Sequence, residues 1–124
     1  MIGPVLIIED DPDIAEILRY ALERENFSTR VAVNGEEALQ ASLNKTDPPS
    51  VILLDLLLPG MTGNEICRRL RIEPATCHTP ILIITAKTLS TDDTSILRMN
   101  AEAIIVKPFS VTEVVARVRS LANR

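Results

Sequence analysis

Val5-Leu6-Ile7-Ile8-Glu9-Asp10-Asp11-Pro12 joins four apolar residues to three consecutive carboxylates and a proline. So short an apolar run, without polar alternation, suits a strand covered on both faces. Asp11 offers a capping oxygen for a helix, and Pro12 brings the fixed φ of a first helical position. The same order of short apolar run and longer mixed segment recurs along the chain. Val51-Ile52-Leu53-Leu54, Ile81-Leu82-Ile83-Ile84 and Ala103-Ile104-Ile105-Val106 read as further strands. Thr29-Arg30-Val31-Ala32-Val33 alternates, as a half-exposed edge strand does.

Helical spacing fills the gaps. Residues 12–25 carry Ile14, Ile17, Leu18, Ala21 and Leu22 as one stripe. Residues 35–45 carry Ala38, Leu39 and Leu43, and residues 63–73 carry Ile66, Cys67 and Leu70. Residues 91–99 carry Ile96, Leu97 and Met99, the weakest pattern. Residues 111–122 carry Val111, Val114, Val115, Val118 and Leu121, with Ser110 and Glu113 spaced as a capping box. Five β-α units in succession predict an α/β fold: a doubly wound, five-stranded parallel sheet with right-handed crossovers and helices on both faces. Asp47-Pro48-Pro49-Ser50 reads as a local turn, and no internal repeat or linker interrupts the pattern.

The 124 residues suit one domain, expected to span 1–124 with no effector domain. With aromatics at 2% and no Trp, the core must be aliphatic. A net charge of −4 with so few rings to stack on bases argues against direct nucleic-acid binding. No apolar run approaches a bilayer span, and Met1-Ile2-Gly3-Pro4 carries no secretion signal, so a cytoplasmic protein is expected. Cys67, Cys77 and His78 make no zinc constellation, and the two thiols are expected to stay reduced.

In open α/β sheets, ligands bind beyond the carboxyl ends of the strands. The residues there are Glu9, Asp10 and Asp11, then Asp55, then Thr85 and Ala86, then Lys107 and Pro108. Singly, each has a plain structural role: Asp11 as a helix cap, Thr85 in a turn, Lys107 solvated. Together they gather carboxylates at one rim, where like charges repel unless something positive holds them. Hard oxygen ligands at this density suit Mg²⁺, which keeps waters and accepts a phosphate oxygen. Lys107 supplies a point charge for phosphate and Thr85 a hydroxyl donor. The set suits phosphoryl transfer to a carboxylate, with Asp55, held at the end of an apolar strand, as nucleophile.

These residues resemble those of the receiver domain of bacterial two-component response regulators. The resemblance rests on Val5 to Pro12, on Asp55-Leu56-Leu57-Leu58-Pro59-Gly60-Met61-Thr62-Gly63, on Thr85-Ala86 and on Lys107-Pro108-Phe109, in the family's order and approximate spacing. It implies a flavodoxin-like sheet of strand order 2-1-3-4-5. It implies that Asp55 accepts a phosphoryl group from a sensor histidine kinase or phosphotransfer protein. Asp10, Asp55 and the backbone carbonyl of Leu57 would ligate Mg²⁺, with Glu9 acting mainly through a metal-bound water. Lys107 would pair with Asp55 and then with phosphate, Thr85 would move to a phosphoryl oxygen, and a cis bond before Pro108 would aim Lys107. The face of the last two helices and the fifth strand would carry the output and possible homodimer contacts. No enzymatic activity is implied beyond the domain's own phosphorylation and dephosphorylation.

The chain also departs from the family. Ile104 stands where Tyr or Phe is common, which excludes an aromatic rotamer swing. Asn100-Ala101-Glu102-Ala103 replaces the Gly-Ala-Asp-Asp stretch of many DNA-binding regulators. Leu57 and Lys87 sit where phosphoryl lifetime is tuned, and an apolar Leu57 cannot orient an attacking water. Three other readings compete: a flavin module, disfavoured by an acidic first loop and few aromatics; a phosphatase, disfavoured by a nucleophile after the third strand; and a receiver that is never phosphorylated. Output through an absent effector domain, as in transcription regulators, and a stand-alone relay by protein contact both stay open.

Overall fold

The computed structural model describes residues 3–43, 47–56, 58, 60–86 and 101–123. In chain order these form β1 (Val5–Ile8), α1 (Pro12–Arg24), β2 (Thr29–Ala32), α2 (Gly35–Ser42), β3 (Val51–Asp55), α3 (Gly63–Ile72), β4 (Ile81–Ala86), β5 (Ala103–Lys107) and α4 (Val111–Ala122). The expected helix over 91–99 lies outside the described residues. The strands make one parallel sheet in the order β2-β1-β3-β4-β5, as expected.

The unbroken apolar runs follow from burial of both sheet faces. Leu6, Ile8, Ile52, Leu54, Ile81 and Ile83 pack on one side with Ala38 of α2 and Ile66 and Leu70 of α3. Val5, Ile7, Val51, Leu53, Leu82 and Ile84 pack on the other with Leu18 and Leu22 of α1 and Val114 and Val118 of α4. Each large aliphatic side chain so buried contributes roughly 1.5–3 kcal/mol of transfer free energy. The central strands β1 and β3 are buried throughout.

Helix starts follow side-chain chemistry. Asp11 Oδ1 accepts from the N–H groups of Asp13 and Ile14, with Pro12 opening α1. Ser110 Oγ accepts from Glu113 N–H before α4. Asn34 caps α2 and Thr62 caps α3, two caps that the apolar spacing did not single out.

Three expectations need correction. Ile17, placed in the buried stripe of α1, is 50% exposed, because Ala15, Leu18 and Leu22 carry the inward face. Leu43 is exposed just past α2. β5 is not covered on both faces: it is a sheet edge, and Ile104 and Val106 are part-exposed on either side of buried Ile105. Cys67 is buried and Cys77 half-buried, both as free thiols; burial pushes the Cys67 thiol up to about 11.

Candidate functional site

Parallel pairing carries the carboxyl ends of the strands to one rim. β1 and β3 pair as far as Ile8 with Leu54, so the next residues, Glu9 and Asp55, fall side by side. Asp55 is in register with Ile84, the residue before Thr85, and β4 pairs with β5 at Thr85–Val106 and Ala86–Lys107. Backbone bonds hold the rim: Glu9 N–H donates to Ala32 O at 2.9 Å, and Leu56 N–H to Ile84 O at 3.3 Å. The Lys107–Pro108 peptide is cis, as expected.

The structure brings Glu9, Asp10 and Asp55 together, with one oxygen from each lying within 4.8 Å of the others. Glu9 and Asp55 are only 2% and 3% exposed, whereas Asp10 is exposed. Lys107 Nζ donates to Asp55 Oδ2 at 2.8 Å. β4 lies between the strands bearing these two residues, a separation of roughly 10 Å, so a long side chain is needed to reach across. Thr85 is fully buried in β4. Asp11 turns to capping, and its N–H donates to Glu9 Oε2 at 3.1 Å.

Charge is tightly constrained here. Burial pushes Glu9 up to about 7, helped by the Asp55 carboxyl, with which it can bond only when a proton sits between them, and by that group's charge. The Asp11 N–H and the Lys107 ammonium work in the opposite direction without winning. Burial acts to lower the Lys107 pKa, but the hydrogen bond and charge of Asp55, with the charges of Glu9 and Asp10, leave it raised. Glu9 Oε1 is buried and accepts no hydrogen bond from the described residues. A buried acceptor without a donor, beside two further carboxylates, fits an oxygen-seeking divalent cation. Leu57, whose carbonyl was expected to join the ligand set, lies outside the described residues, as do Lys87 and Asn100.

The sheet order, the acidic cluster and the lysine contact coincide with a match to the family described as response regulator receiver domain, over residues 5–119. The chain belongs to that family. The receiver is 41% identical over 120 residues to the DNA-binding response regulator MtrA of Mycolicibacterium smegmatis, covering 97% of this chain and 50% of that protein. It spans about half the length of the curated relatives it matches. The Francisella response regulator 1452 receiver domain superposes with a TM-score of 0.85 at 30% identity, over 98% of both chains. The receiver domain of the Pseudomonas aeruginosa sensor histidine kinase PA1611, with a magnesium ion in its active-site cleft, shares the fold at a TM-score of 0.87 and 22% identity, covering 100% of both chains. Among the described residues, no helix of the receiver is long and apolar enough to cross a membrane.

Ile104, at the usual aromatic position, is 39% exposed on the sheet edge. Glu102 has an internal role that strand-end reasoning missed. Its Oε1 accepts from Ile81 N–H at 2.7 Å and from Arg71 Nη2 at 2.9 Å, while Arg71 Nη1 donates to Thr79 O at 2.7 Å. This clip ties α3 to the starts of β4 and β5. Its members are far apart in sequence, so no spacing announces it.

Proposed function

We propose that this receiver is a phosphorylation-dependent switch whose acceptor is Asp55. The observation that carries the reading is the buried Asp55 carboxylate, bonded to Lys107 at 2.8 Å and flanked by Glu9 and Asp10. The donor is the phosphohistidine of a sensor histidine kinase or a phosphotransfer protein. An Asp55 oxygen attacks phosphorus in line, the P–N bond breaks, and the electron pair leaves with the imidazole nitrogen. Burial and the adjoining strands hold Asp55 in one position, so little orientational freedom is lost at transfer. Lys107 offsets the charge on Asp55 and then pairs with the phosphoryl oxygens. The Thr85 hydroxyl donates to a further phosphoryl oxygen. Glu9, Asp10 and Asp55 would hold Mg²⁺, which supplies positive charge for the transferring phosphoryl oxygens.

The phosphoryl group adds charge and acceptor oxygens beside Thr85 and Lys107, on β4 and β5. Whichever backbone arrangement lets both residues reach it gains population, and the change passes to β5 and α4. With Ile104 in place of an aromatic ring, packing and loop movement carry the coupling. The domain acts on no external substrate. Its likeness to one half of a DNA-binding regulator supports transcriptional output through an effector domain.

Incubation with acetyl phosphate and Mg²⁺, followed by intact-mass spectrometry, tests the reading. Wild type should gain one phosphoryl group and Asp55→Ala none. A modified Asp55→Ala protein would place the acceptor elsewhere.

A further inference from the structure

Gly60, Gly63 and Gly35 all bear on the loop that follows Asp55, for different reasons. Gly60 has a positive φ and open space around it, so what it supplies is conformation. Gly63 and Gly35 are buried and have no positive φ, so what they supply is room. Gly63 opens α3, and a Cβ there would fall 2.4 Å from Leu56 Cδ2 and 3.3 Å from Leu56 Cα. Carbon atoms meet at roughly 3.5–4.0 Å, so the Leu56 side chain lies where an alanine methyl would have to be. Gly35 opens α2, and a Cβ there would fall 3.0 Å from both Cβ and Sδ of Met61. Leu56 and Met61 thus lie flush against the bare backbone of two helix starts, and both pack on the core beneath. Leu56 is the neighbour of Asp55 in the chain, and its N–H donates to Ile84 O at 3.3 Å. Gly35 stands three residues beyond Ala32, whose carbonyl accepts from Glu9 N–H at 2.9 Å. The two seats therefore key the turn out of β3 to the same helix starts that brace Glu9.

We propose that Leu56 is a positioning residue for Asp55: seated across Gly63, with Met61 seated across Gly35, it fixes the turn out of β3 and so the aim of the Asp55 carboxylate at Lys107, Glu9 and Asp10. The inference rests on Asp55 as the acceptor. Leu56 acts through the backbone that it shares with Asp55. A methyl at position 63 demands that Leu56 give way by roughly 1 Å, and a displacement of that size at a reacting group can cost ~100-fold in rate. At the first position of a helix, alanine for glycine would otherwise stabilise the chain by restricting its unfolded state, so backbone preference alone predicts no loss.

A double-mutant cycle on positions 56 and 63 tests the proposal. Three quantities are followed: the phosphorylation rate with acetyl phosphate and Mg²⁺, the affinity for Mg²⁺ alone by titration calorimetry, and urea unfolding to establish that each variant is folded. Gly63→Ala should slow phosphorylation by roughly tenfold or more and weaken Mg²⁺ binding. Leu56→Ala should slow phosphorylation several-fold, and Leu56→Met, which refills the seat, should recover most of the rate. In the Leu56→Ala background, adding Gly63→Ala should change rate and affinity by less than about twofold, because the clashing atom has gone. A general loss of structure would instead grow with each substitution. The proposal is overturned if Gly63→Ala is phosphorylated and binds Mg²⁺ as the wild type does, which would mean that Leu56 swings aside at no cost to Asp55. It is equally overturned if Gly63→Ala carries the same penalty in both backgrounds, or if Leu56→Ala is as fast as the wild type. A wild-type chain that gains no phosphoryl group at Asp55 would overturn the acceptor reading instead, and the Mg²⁺ arm of the cycle would still judge the seat.

Discussion

Raising the pH from 4.5 to about 8 in metal-free buffer should destabilise this receiver, opposite to the trend set by most paired carboxylates. The cause is Glu9, which burial and the neighbouring Asp55 push from 4.5 up to about 7. In that interval the folded protein keeps a proton that the unfolded chain has released. A group whose folded pKa is raised contributes stability below its unfolded value, and that stability is lost as the pH passes the folded value. A displacement of this size corresponds to at most about 3 kcal/mol. For a domain of this length that amounts to roughly 10 °C in Tm. Glu65, lowered to about 2 first by its hydrogen bond with Arg68 and then by Arg69, titrates below the interval. Urea unfolding followed by circular dichroism, with a chelator present, gives the profile. Glu9→Gln should flatten it, and saturating Mg²⁺ should do the same by favouring the ionised cluster. Stability that holds level or rises through the interval, or a decline that survives in Glu9→Gln, would refute the electrostatic reasoning.

Lys107→Met removes the ammonium bonded to Asp55. Without divalent cations it should cost about 2–4 kcal/mol in urea unfolding, since a buried carboxylate loses its partner, and Mg²⁺ should recover part of the loss. Leu53→Ala empties a fully buried site in the central strand and should cost about 3–4 kcal/mol, measured the same way. Gly60 has a φ of 83° and open space where a Cβ would stand. Gly60→Ala should therefore cost about 1 kcal/mol through backbone strain alone, and Gly60→Asn less; equal losses would show that side-chain contacts matter there.

The sheet was legible because burial on both faces writes itself as unbroken apolar runs. Val5–Ile8 and Val51–Leu54 could hardly be anything but central strands. The site was legible because a parallel sheet gathers its strand ends, so Glu9, Asp10, Asp55 and Lys107 could be grouped from three strand ends each at least forty-five positions from the next. Periodicity was weaker on the helices. It placed Ile17 inward because a stripe drawn at helical spacing is wider than the face α1 buries. It also treated Ala103–Val106 like the central strands, since apolar composition alone does not reveal which strand ends the sheet. The Glu102 clip was illegible, because it depends on three distant segments meeting.

The chemistry at Asp55 can be read from the chain itself. Treating the phosphorylated receiver with borohydride reduces an aspartyl phosphate to homoserine, which peptide sequencing then locates. Conversion at position 55, and nowhere else, is the predicted outcome. Homoserine at position 10, 5-hydroxynorvaline at position 9 (the product a glutamyl phosphate would give), or a phosphoryl group that resists reduction and maps to a serine or threonine, would contradict Asp55 as the acceptor.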